Sequence, residues 1–257
     1  MNQRERRLFL VKQLLSEEKQ YRNINIPSDD DKQKKLLRAL MNMRLPKPID
    51  KYFLQIQNEY LQEANKEKGI VRLANLAPIQ ESIYLWQGDI TRLAVDAIVN
   101  AANSGMTGCY IPNHTCIDNC IHTYGGMQMR LDCARIIDKQ GYDEIVGKAK
   151  ITSAHNLPCK YVLHTVGPII QDNLQTEDEE QLASCYQSCL TLAEKKGLAS
   201  VAFCCISTGV FHFPNQRAAE IALSTVKQFQ KQAFHKIEVV FNVFKKSDYD
   251  IYKELLC

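Results

Sequence analysis

The chain has 257 residues, of which 45% are apolar and 24% are charged. This balance is ordinary for a globular protein and excludes a largely disordered chain. The net charge of +3 is too small to indicate nucleic acid or an anionic membrane as a partner. No apolar run approaches the roughly 20 residues that a membrane span requires, so we expect no membrane association.

The ten cysteines follow no spacing typical of a small disulfide framework. A basic start precedes a short apolar run at 8–11, but Lys12 interrupts that run too early for a signal peptide. We therefore expect a cytoplasmic protein with reduced, mostly buried thiols. Since the sequence contains no coiled-coil heptad, we also expect a monomer.

Residues 1–80 are predicted to form an N-terminal helical extension. Apolar residues recur at helical spacing from Leu8, from Leu36 and from Phe53, which predicts three helices. Ser28 precedes three aspartates and is the predicted N-cap of the second helix. No residue in this segment suggests chemistry. We interpret it as a packing element, with docking of another protein as the alternative.

Residues 81–257 are predicted to form an α/β domain, because short β-like runs alternate with helical stretches. This alternation indicates a mainly parallel sheet that is covered on both faces. Ligands of such sheets bind beyond the carboxyl ends of the strands. The predicted strands are 83–86, 97–99, 161–163, 201–206 and 237–241, and the predicted helices are about 118–139, 178–196, 215–232 and 246–256.

Polar or small residues follow three of these strands. After the first strand, Asp89 either caps a turn or accepts a hydrogen bond from a ligand. After the second, the amides of Asn100 and Asn103 could bind sugar hydroxyls or satisfy loop backbone, and we prefer the loop role for Asn100. The small residues of 206–211 could direct backbone N–H groups at phosphate oxygens, or simply form a tight turn. This segment is neither a Walker A loop nor a Gly-x-Gly-x-x-Gly fingerprint, which disfavours an ATPase or a Rossmann dehydrogenase.

Together these segments resemble the macrodomain family of ADP-ribose-binding modules and ADP-ribosyl hydrolases. The resemblance covers about residues 83–257 and implies a three-layer α/β/α fold with ADP-ribose lying across the strand ends. Several motifs in the same order make it far more specific than any one of them. The matching stretches are QGDITRLAVDAIVNAANS at 87–104, CIDNCIHTYGG at 116–126, HTVGP at 164–168 and ISTGVFHFP at 206–214.

The resemblance also implies which residues surround ADP-ribose. Asp89 and Ile90 would meet the adenine, and Asn103 would meet the distal ribose. Phe244, which follows the last predicted strand, would provide a platform for the adenine. Phe211 would lie against the distal ribose. The residues that would wrap the pyrophosphate are Ser207, Thr208, Gly209, Val210 and Phe211.

The segment after Asn103 departs from many macrodomains, because a string of glycines is replaced by Cys109-x4-His114-x-Cys116. Thiolate and imidazole are ligands that zinc prefers, and three protein ligands leave the fourth position open to water or substrate. The alternative is a pair of buried cysteines beside a surface histidine. Because the set lies next to the expected distal ribose, we predict a zinc site. This variant is similar to the zinc-dependent macrodomains of microbes, which also carry a helical N-terminal extension.

The leading functional hypothesis is a zinc-dependent hydrolase that removes mono-ADP-ribose from protein side chains. Asn103 would fix the ribose, and Asp118 would orient water or act as general base, unless it is only a helix N-cap. Cys120 is expected in the core, although it is the one nearby candidate for a fourth zinc ligand. His122 is expected to make a structural hydrogen bond. The alternatives are a non-catalytic reader of ADP-ribosylated proteins with a structural zinc, and a hydrolase of O-acetyl-ADP-ribose or ADP-ribose 1″-phosphate.

Overall fold

The computed structural model describes residues 1–257 and begins with three helices. They are α1 (Gln3–Glu17), α2 (Asp30–Met43) and α3 (Lys51–Glu67), and they share an apolar cluster that includes Leu10, Leu37 and Phe53. The predicted N-cap of α2 is wrong by one residue. Asp29, not Ser28, accepts a hydrogen bond from the backbone N–H of Lys32 at 2.8 Å.

A six-stranded sheet forms the centre of the remaining chain. Its strands are β2 (Ile83–Gln87), β4 (Ala97–Ala102), β5 (Ala149–Ser153), β6 (Tyr161–Val166), β7 (Ser200–Phe203) and β8 (Glu238–Val243). Their spatial order is β2-β8-β7-β4-β6-β5, and every neighbouring pair is parallel except β5 with β6. A separate parallel pair joins β1 (Val71–Arg72) to β3 (Leu93–Ala94).

Helices cover both faces of this sheet. They are α4 (Ile117–Gly125), α5 (Met127–Gln140), α6 (Thr176–Lys195), α7 (Asn215–Gln230) and α8 (Lys246–Leu256). On one face, Tyr186 of α6 packs on Phe203 of β7, and Tyr252 of α8 packs on Phe241 of β8. On the other face, α4 packs against β4 and α5 against β5. The predicted three-layer fold is confirmed. None of the helices is both long enough and apolar enough to cross a membrane.

The helix predicted at about 118–139 is divided into α4 and α5 at Gly126. This residue has φ +97°, a conformation that side chains rarely adopt. A Cβ at this position would also lie 2.9 Å from the side-chain amides of Gln57 and Asn156. Glycine therefore lets the junction of the two helices approach α3 closely.

Candidate functional site

Parallel pairing brings four loops to the same edge of the sheet. The carboxyl ends of β2, β8, β7 and β4 are neighbours at this edge. The loops that follow them start at residues 88, 244, 204 and 103 respectively. These loops contain the residues for which a binding role was predicted, so the sheet order itself assembles the candidate site.

Asn103 and Asp118 lie in contact at the start of α4. Asn103 Nδ2 donates hydrogen bonds to Asp118 Oδ2 and to the carbonyl of Gly108, each at 3.2 Å. The N-cap of α4 is Cys116, whose Sγ accepts from the backbone N–H of Asn119 at 3.4 Å. The interpretation of Asp118 as an N-cap is therefore wrong, and its buried carboxylate faces the Asn103 side chain instead.

Asn100 does not satisfy loop backbone, as we had expected. It is fully buried, and its Nδ2 donates to Asp118 Oδ1 at 2.8 Å. The same nitrogen lies 3.1 Å from Nδ1 of His164, whose Nε2 lies 2.9 Å from Thr152 Oγ1. A buried chain of polar contacts thus runs from β5 through β6 and β4 to the carboxylate on α4.

Burial raises the pKa of Asp118 to about 6. The hydrogen bond from Asn100 and the guanidinium of Arg130 act in the opposite direction but do not outweigh burial. Burial therefore favours the protonated form of this carboxyl group, and the amides of Asn100 and Asn103 hold it in place.

Cys109, His114 and Cys116 converge, as the predicted metal site requires. Both Sγ atoms and one imidazole nitrogen lie within 4.8 Å of one another, with Cys109 Sγ 3.6 Å from His114 Nδ1. Ligand atoms of a tetrahedral zinc ion are about 3.5 Å apart, so the three side chains fit such an ion. Burial, together with the neighbouring Cys109, raises the pKa of Cys116 to about 12. A bound cation is what would hold two thiolates at this place.

Cys120 does not belong to this set of three residues. It also lies outside the core, although we had expected it to be buried there. It is half-buried on α4, and its Sγ lies 3.4 Å from Nη2 of Arg38. Arg38 belongs to α2, so this cysteine faces the N-terminal helices rather than the three converging ligands.

His122 does not make the structural hydrogen bond that we had expected. Both ring nitrogens are buried without a hydrogen-bond partner, and Nε2 lies 3.5 Å from Asp118 Oδ1. Burial lowers its pKa well below the usual value, so the imidazole is neutral. Its ring packs against Gly108, where a Cβ would lie 2.8 Å from the ring and φ is +87°. Glycine is therefore required where the loop passes this histidine.

The loop after β7 presents unpaired backbone donors. Ser207 has φ +64°, and its carbonyl accepts from the backbone N–H of Phe213 at 3.0 Å, which closes the loop. The N–H groups of Gly209, Val210 and Phe211 donate to no other protein group. Such donors, immediately before the N-terminus of α7, suit phosphate oxygens.

The side chains of this loop have separate roles. Thr208 donates its hydroxyl hydrogen bond to the carbonyl of Cys205 at 3.0 Å, so its side chain stabilises the turn. Ser207 Oγ is buried and has no partner in the protein. Val210 is exposed, and a Cβ at Gly209 would meet nothing within 4 Å, so this stretch borders open space.

Asp89 and Phe244 lie at the other end of the same edge. Asp89 Oδ1 caps a short 3-10 turn by accepting from the backbone N–H of Thr91 at 3.0 Å, and its Oδ2 pairs with Lys68 Nζ at 2.7 Å. Burial raises the pKa of Asp89, but Lys68 and the hydrogen bonds from Thr91 together outweigh this effect, and the pKa lies below the usual value. The side chain of Ile90 is buried, whereas that of Phe244 is 76% exposed.

The N-terminal helices contact both ends of the site, although the sequence suggested no chemistry in them and docking of another protein only as the alternative role. Arg38 Nη2 donates to the carbonyl of His114 at 2.7 Å. Asn42 Oδ1 accepts from the backbone N–H of Asn113 at 3.0 Å. Lys68, just after α3, pairs with Asp89. These residues lie far from their partners in the chain, so periodicity and motif spacing carried no signal for them.

Comparison with known proteins agrees with this fold. The Macro domain model matches residues 99–222. A protein of Treponema medium named protein-ADP-ribose hydrolase is 55% identical over 260 residues, covering 100% of both chains. A protein of the same name from Staphylococcus aureus (strain MRSA252) is 48% identical over 247 residues, covering 94% of this chain and 92% of that one.

A solved structure is similar over most of the chain. The Trypanosoma brucei macrodomain in complex with ADP-ribose has a TM-score of 0.66 and 27% sequence identity. The similarity covers 85% of this chain and 95% of the other. From these similarities and the α/β fold, the chain belongs to the macrodomain family.

Proposed function

We propose that this protein is a zinc-dependent hydrolase that removes mono-ADP-ribose from modified protein side chains. The observation that carries the proposal is the convergence of Cys109, His114 and Cys116 in the loop that joins Asn103 to Asp118. The names of the relatives at 55% and 48% identity support hydrolysis of a protein-ADP-ribose bond. The similar structure in complex with ADP-ribose supports the ligand.

Binding of ADP-ribose would use the loops at the carboxyl edge of the sheet. The free N–H groups of 209–211 would donate hydrogen bonds to the pyrophosphate oxygens, with the dipole of α7 adding attraction. Phe244 would cover the adenine beside Asp89 and the backbone of Ile90. Asn103 would hold the distal ribose through Oδ1 of its side-chain amide, which can accept a hydrogen bond from a hydroxyl, since Nδ2 already donates to Gly108 and Asp118.

The chemical step would take place between the metal ligands and Asp118. Cys109, His114 and Cys116 would hold zinc, which when bound supplies a Lewis acid. Asp118 would orient the attacking water and accept its proton, since Asn100 and Asn103 hold the carboxylate in place. The water oxygen bonds to the ribose carbon as the bond to the protein side chain breaks, and that side chain takes up a proton. Positioning of the ribose contributes much of the rate.

The reader alternative would require a closed zinc site with a fourth protein ligand. Cys120 was the candidate for that ligand, but its Sγ lies beside Arg38. A set of three ligands leaves a coordination position for water or substrate, which supports the hydrolase over the reader.

Substitution of Cys116 by Ala tests the proposal. We expect this variant to lose zinc and release of ADP-ribose but to bind free ADP-ribose with affinity close to that of the wild type. The adenine and pyrophosphate contacts lie on other loops, which is the physical reason. Zinc analysis, ADP-ribose release and calorimetric binding measure the three effects.

Cys120→Ala is the matched control, because Cys120 lies on the same helix outside the metal set and should keep both zinc and turnover. Loss of affinity and fold together in Cys116→Ala would instead make the metal structural and favour the reader.

A further inference from the structure

A groove of about 1100 Å³ opens among the N-terminal helices and borders the macrodomain. It lies between α1, α2, the end of α3 and α4, and of the loops proposed to bind ADP-ribose it includes only Asn113. Its acidic lining residues are Asp30 and Glu67. Its basic lining residues, which define what is called the basic groove below, are Arg4, Arg7, Lys34, Lys35, Arg38 and Lys68.

The positive charge of the basic groove is only partly neutralised within the protein. Asp30 pairs with Arg7 at 2.6 Å and lies 3.6 Å from Arg4. Lys34 contacts only the exposed Asp31, at 3.2 Å. Arg38 contacts carbonyl, amide and thiol groups but no carboxylate, and its buried Nε has no partner. Cations without carboxylate partners leave the groove with a positive potential that attracts anionic groups.

The basic groove meets the proposed site at two points. Arg38 contacts the carbonyl of His114, and Asn113, a neighbour in the same loop, lines the groove. At the other point, Lys68 lines the groove and pairs with Asp89. A chain that lies in the groove would therefore end beside the loop that holds the proposed metal ligands.

We propose that the basic groove binds an acidic segment of the ADP-ribosylated protein, adjacent to the modified residue. This inference rests on the proposed function and names a feature of its substrate. The complementarity of charge carries it: five cations from α1 and α2 line one groove together with Lys68. The segment would hold the substrate protein while the modified side chain reaches the strand ends.

Nucleic acid fits the groove less well. Two aromatic residues, Tyr60 and Tyr124, line it, but neither offers a free face for stacking of a base. Tyr60 is buried, and the ammonium of Lys68 lies 3.4 Å from the centre of the Tyr124 ring. The net charge of +3 is also small for a nucleic-acid-binding protein.

Two peptides that differ only in charge test the proposal. Each carries one mono-ADP-ribose through the same linkage, and the modified residue is flanked by glutamates in one peptide and by glutamines in the other. We expect wild-type kcat/KM to be about tenfold higher for the glutamate peptide at low salt, mainly through KM, and the preference to fall at high salt.

The informative variant is Lys34→Glu/Lys35→Glu, since both side chains are exposed on α2 and contact no proposed site residue. It should lose the preference while hydrolysing the glutamine peptide at the wild-type rate. Lys195→Glu/Lys196→Glu makes the same change of charge at exposed positions at the end of α6 and should keep the preference. The docking proposal would be overturned by equal turnover of the two peptides by the wild type, or by a preference that survives in Lys34→Glu/Lys35→Glu. Neither result would contradict the proposed hydrolase activity.

Binding of the unmodified, fluorescein-labelled glutamate peptide separates this inference from the proposed function. If neither modified peptide is hydrolysed, the proposed function fails. The fluorescence anisotropy of the labelled peptide still shows whether the basic groove binds an acidic segment. Binding that weakens about tenfold in Lys34→Glu/Lys35→Glu, but not in the α6 control, would support docking. No binding, or tighter binding of a single-stranded RNA of similar length, would overturn it.

Discussion

The carboxylate of Asp118 is held from two sides, by Asn100 at 2.8 Å and by Asn103 at 3.2 Å. We expect Asp118→Asn to lower kcat about 10²–10⁴-fold, because an amide cannot accept the proton of the attacking water. The affinity for ADP-ribose should change little. Single-turnover release and calorimetry measure these two quantities. Asp132→Asn should leave the rate unchanged, because the carboxylate of Asp132 lies on α5 and contacts His155 at 2.8 Å instead of the proposed site. Normal turnover in Asp118→Asn would assign this residue a structural role only.

Two buried imidazoles make the folded state sensitive to acid. Burial lowers the pKa of His164 to about 3 and that of His122 well below its usual value. Below about pH 6.5 the unfolded chain takes up protons that the folded chain does not bind. The stability from these histidines is therefore present above that pH and is lost as pH falls toward 3. His164 lowers the free energy of unfolding by about 1.4 kcal/mol per pH unit over this window, and His122 acts in the same direction.

Urea unfolding at pH 7 and pH 5 measures this effect through His164→Asn. The wild type should lose about 2 kcal/mol more between the two pH values than the variant does. Asp118, whose raised pKa acts in the opposite direction, is present in both proteins, as are His122, Cys133 and Arg130. The contributions of these residues to the pH dependence of the free energy of unfolding therefore cancel when the two proteins are compared. An identical pH dependence in the two proteins would show that His164 is not kept neutral by the fold.

Residues that are close in the chain were the ones that sequence reasoning brought together. Cys109, His114 and Cys116 converge because one loop carries all three. Asn100 and His122 were misread because their environments depend on other elements. The partners of Asn100 come from α4 and β6, and the isolation of the His122 ring results from packing that no local pattern encodes.

Among the elements, the loop after β7 provides the sharpest test of ligand placement. A Cβ at Gly209 would enter open space, so Gly209→Val should fold normally. Its side chain would stand beside the free N–H groups, and we expect ADP-ribose affinity to fall at least tenfold, or about 1.4 kcal/mol. Gly209→Ala should give a smaller loss. Calorimetry measures the affinity, and metal analysis should show unchanged zinc. Loss of zinc from Gly209→Val would contradict the separation of the two sites.

The main elements could be predicted from apolar periodicity, whereas the exceptions follow from tertiary packing. Strand β5 was missed because only Thr152 in it is buried, so no apolar run marks it, and it pairs antiparallel at the edge of the sheet. The division of one predicted helix at Gly126 was missed because the contact with Gln57 that requires glycine comes from α3.

For the molecule as a whole, Arg130 joins the helical extension to the macrodomain. This buried residue of α5 donates from Nη1 to the carbonyl of Asn42 at 2.7 Å and to that of Met41 at 3.3 Å, both at the end of α2. We expect Arg130→Met to lower the free energy of unfolding by about 2–4 kcal/mol, since buried carbonyls lose their charged donor. Calorimetry should show Tm lower by roughly 10 °C.

Arg135→Met is the matched control for this change. Arg135 lies on the same helix, but its side chain is 75% exposed, so Tm should stay close to that of the wild type. Equal Tm values for the two variants would show that Arg130 does not join the two parts of the chain.

The N-terminal helices themselves could be predicted from sequence, but their contacts with the site could not. The bond from Arg38 to His114 joins residues 76 positions apart, and that from Lys68 to Asp89 depends on how α3 ends against the sheet. Neither contact leaves a trace in composition or in local spacing, because both depend on how the complete chain packs.

Release of ADP-ribose from a mono-ADP-ribosylated protein, measured together with the metal content of the enzyme, tests the central claim most directly. The purified protein should contain about one zinc ion per chain and release ADP-ribose. Chelation should stop release, and added zinc should restore it. Tight ADP-ribose binding with zinc present, but no release from any linkage, would contradict a hydrolase and make this chain a reader with a structural metal.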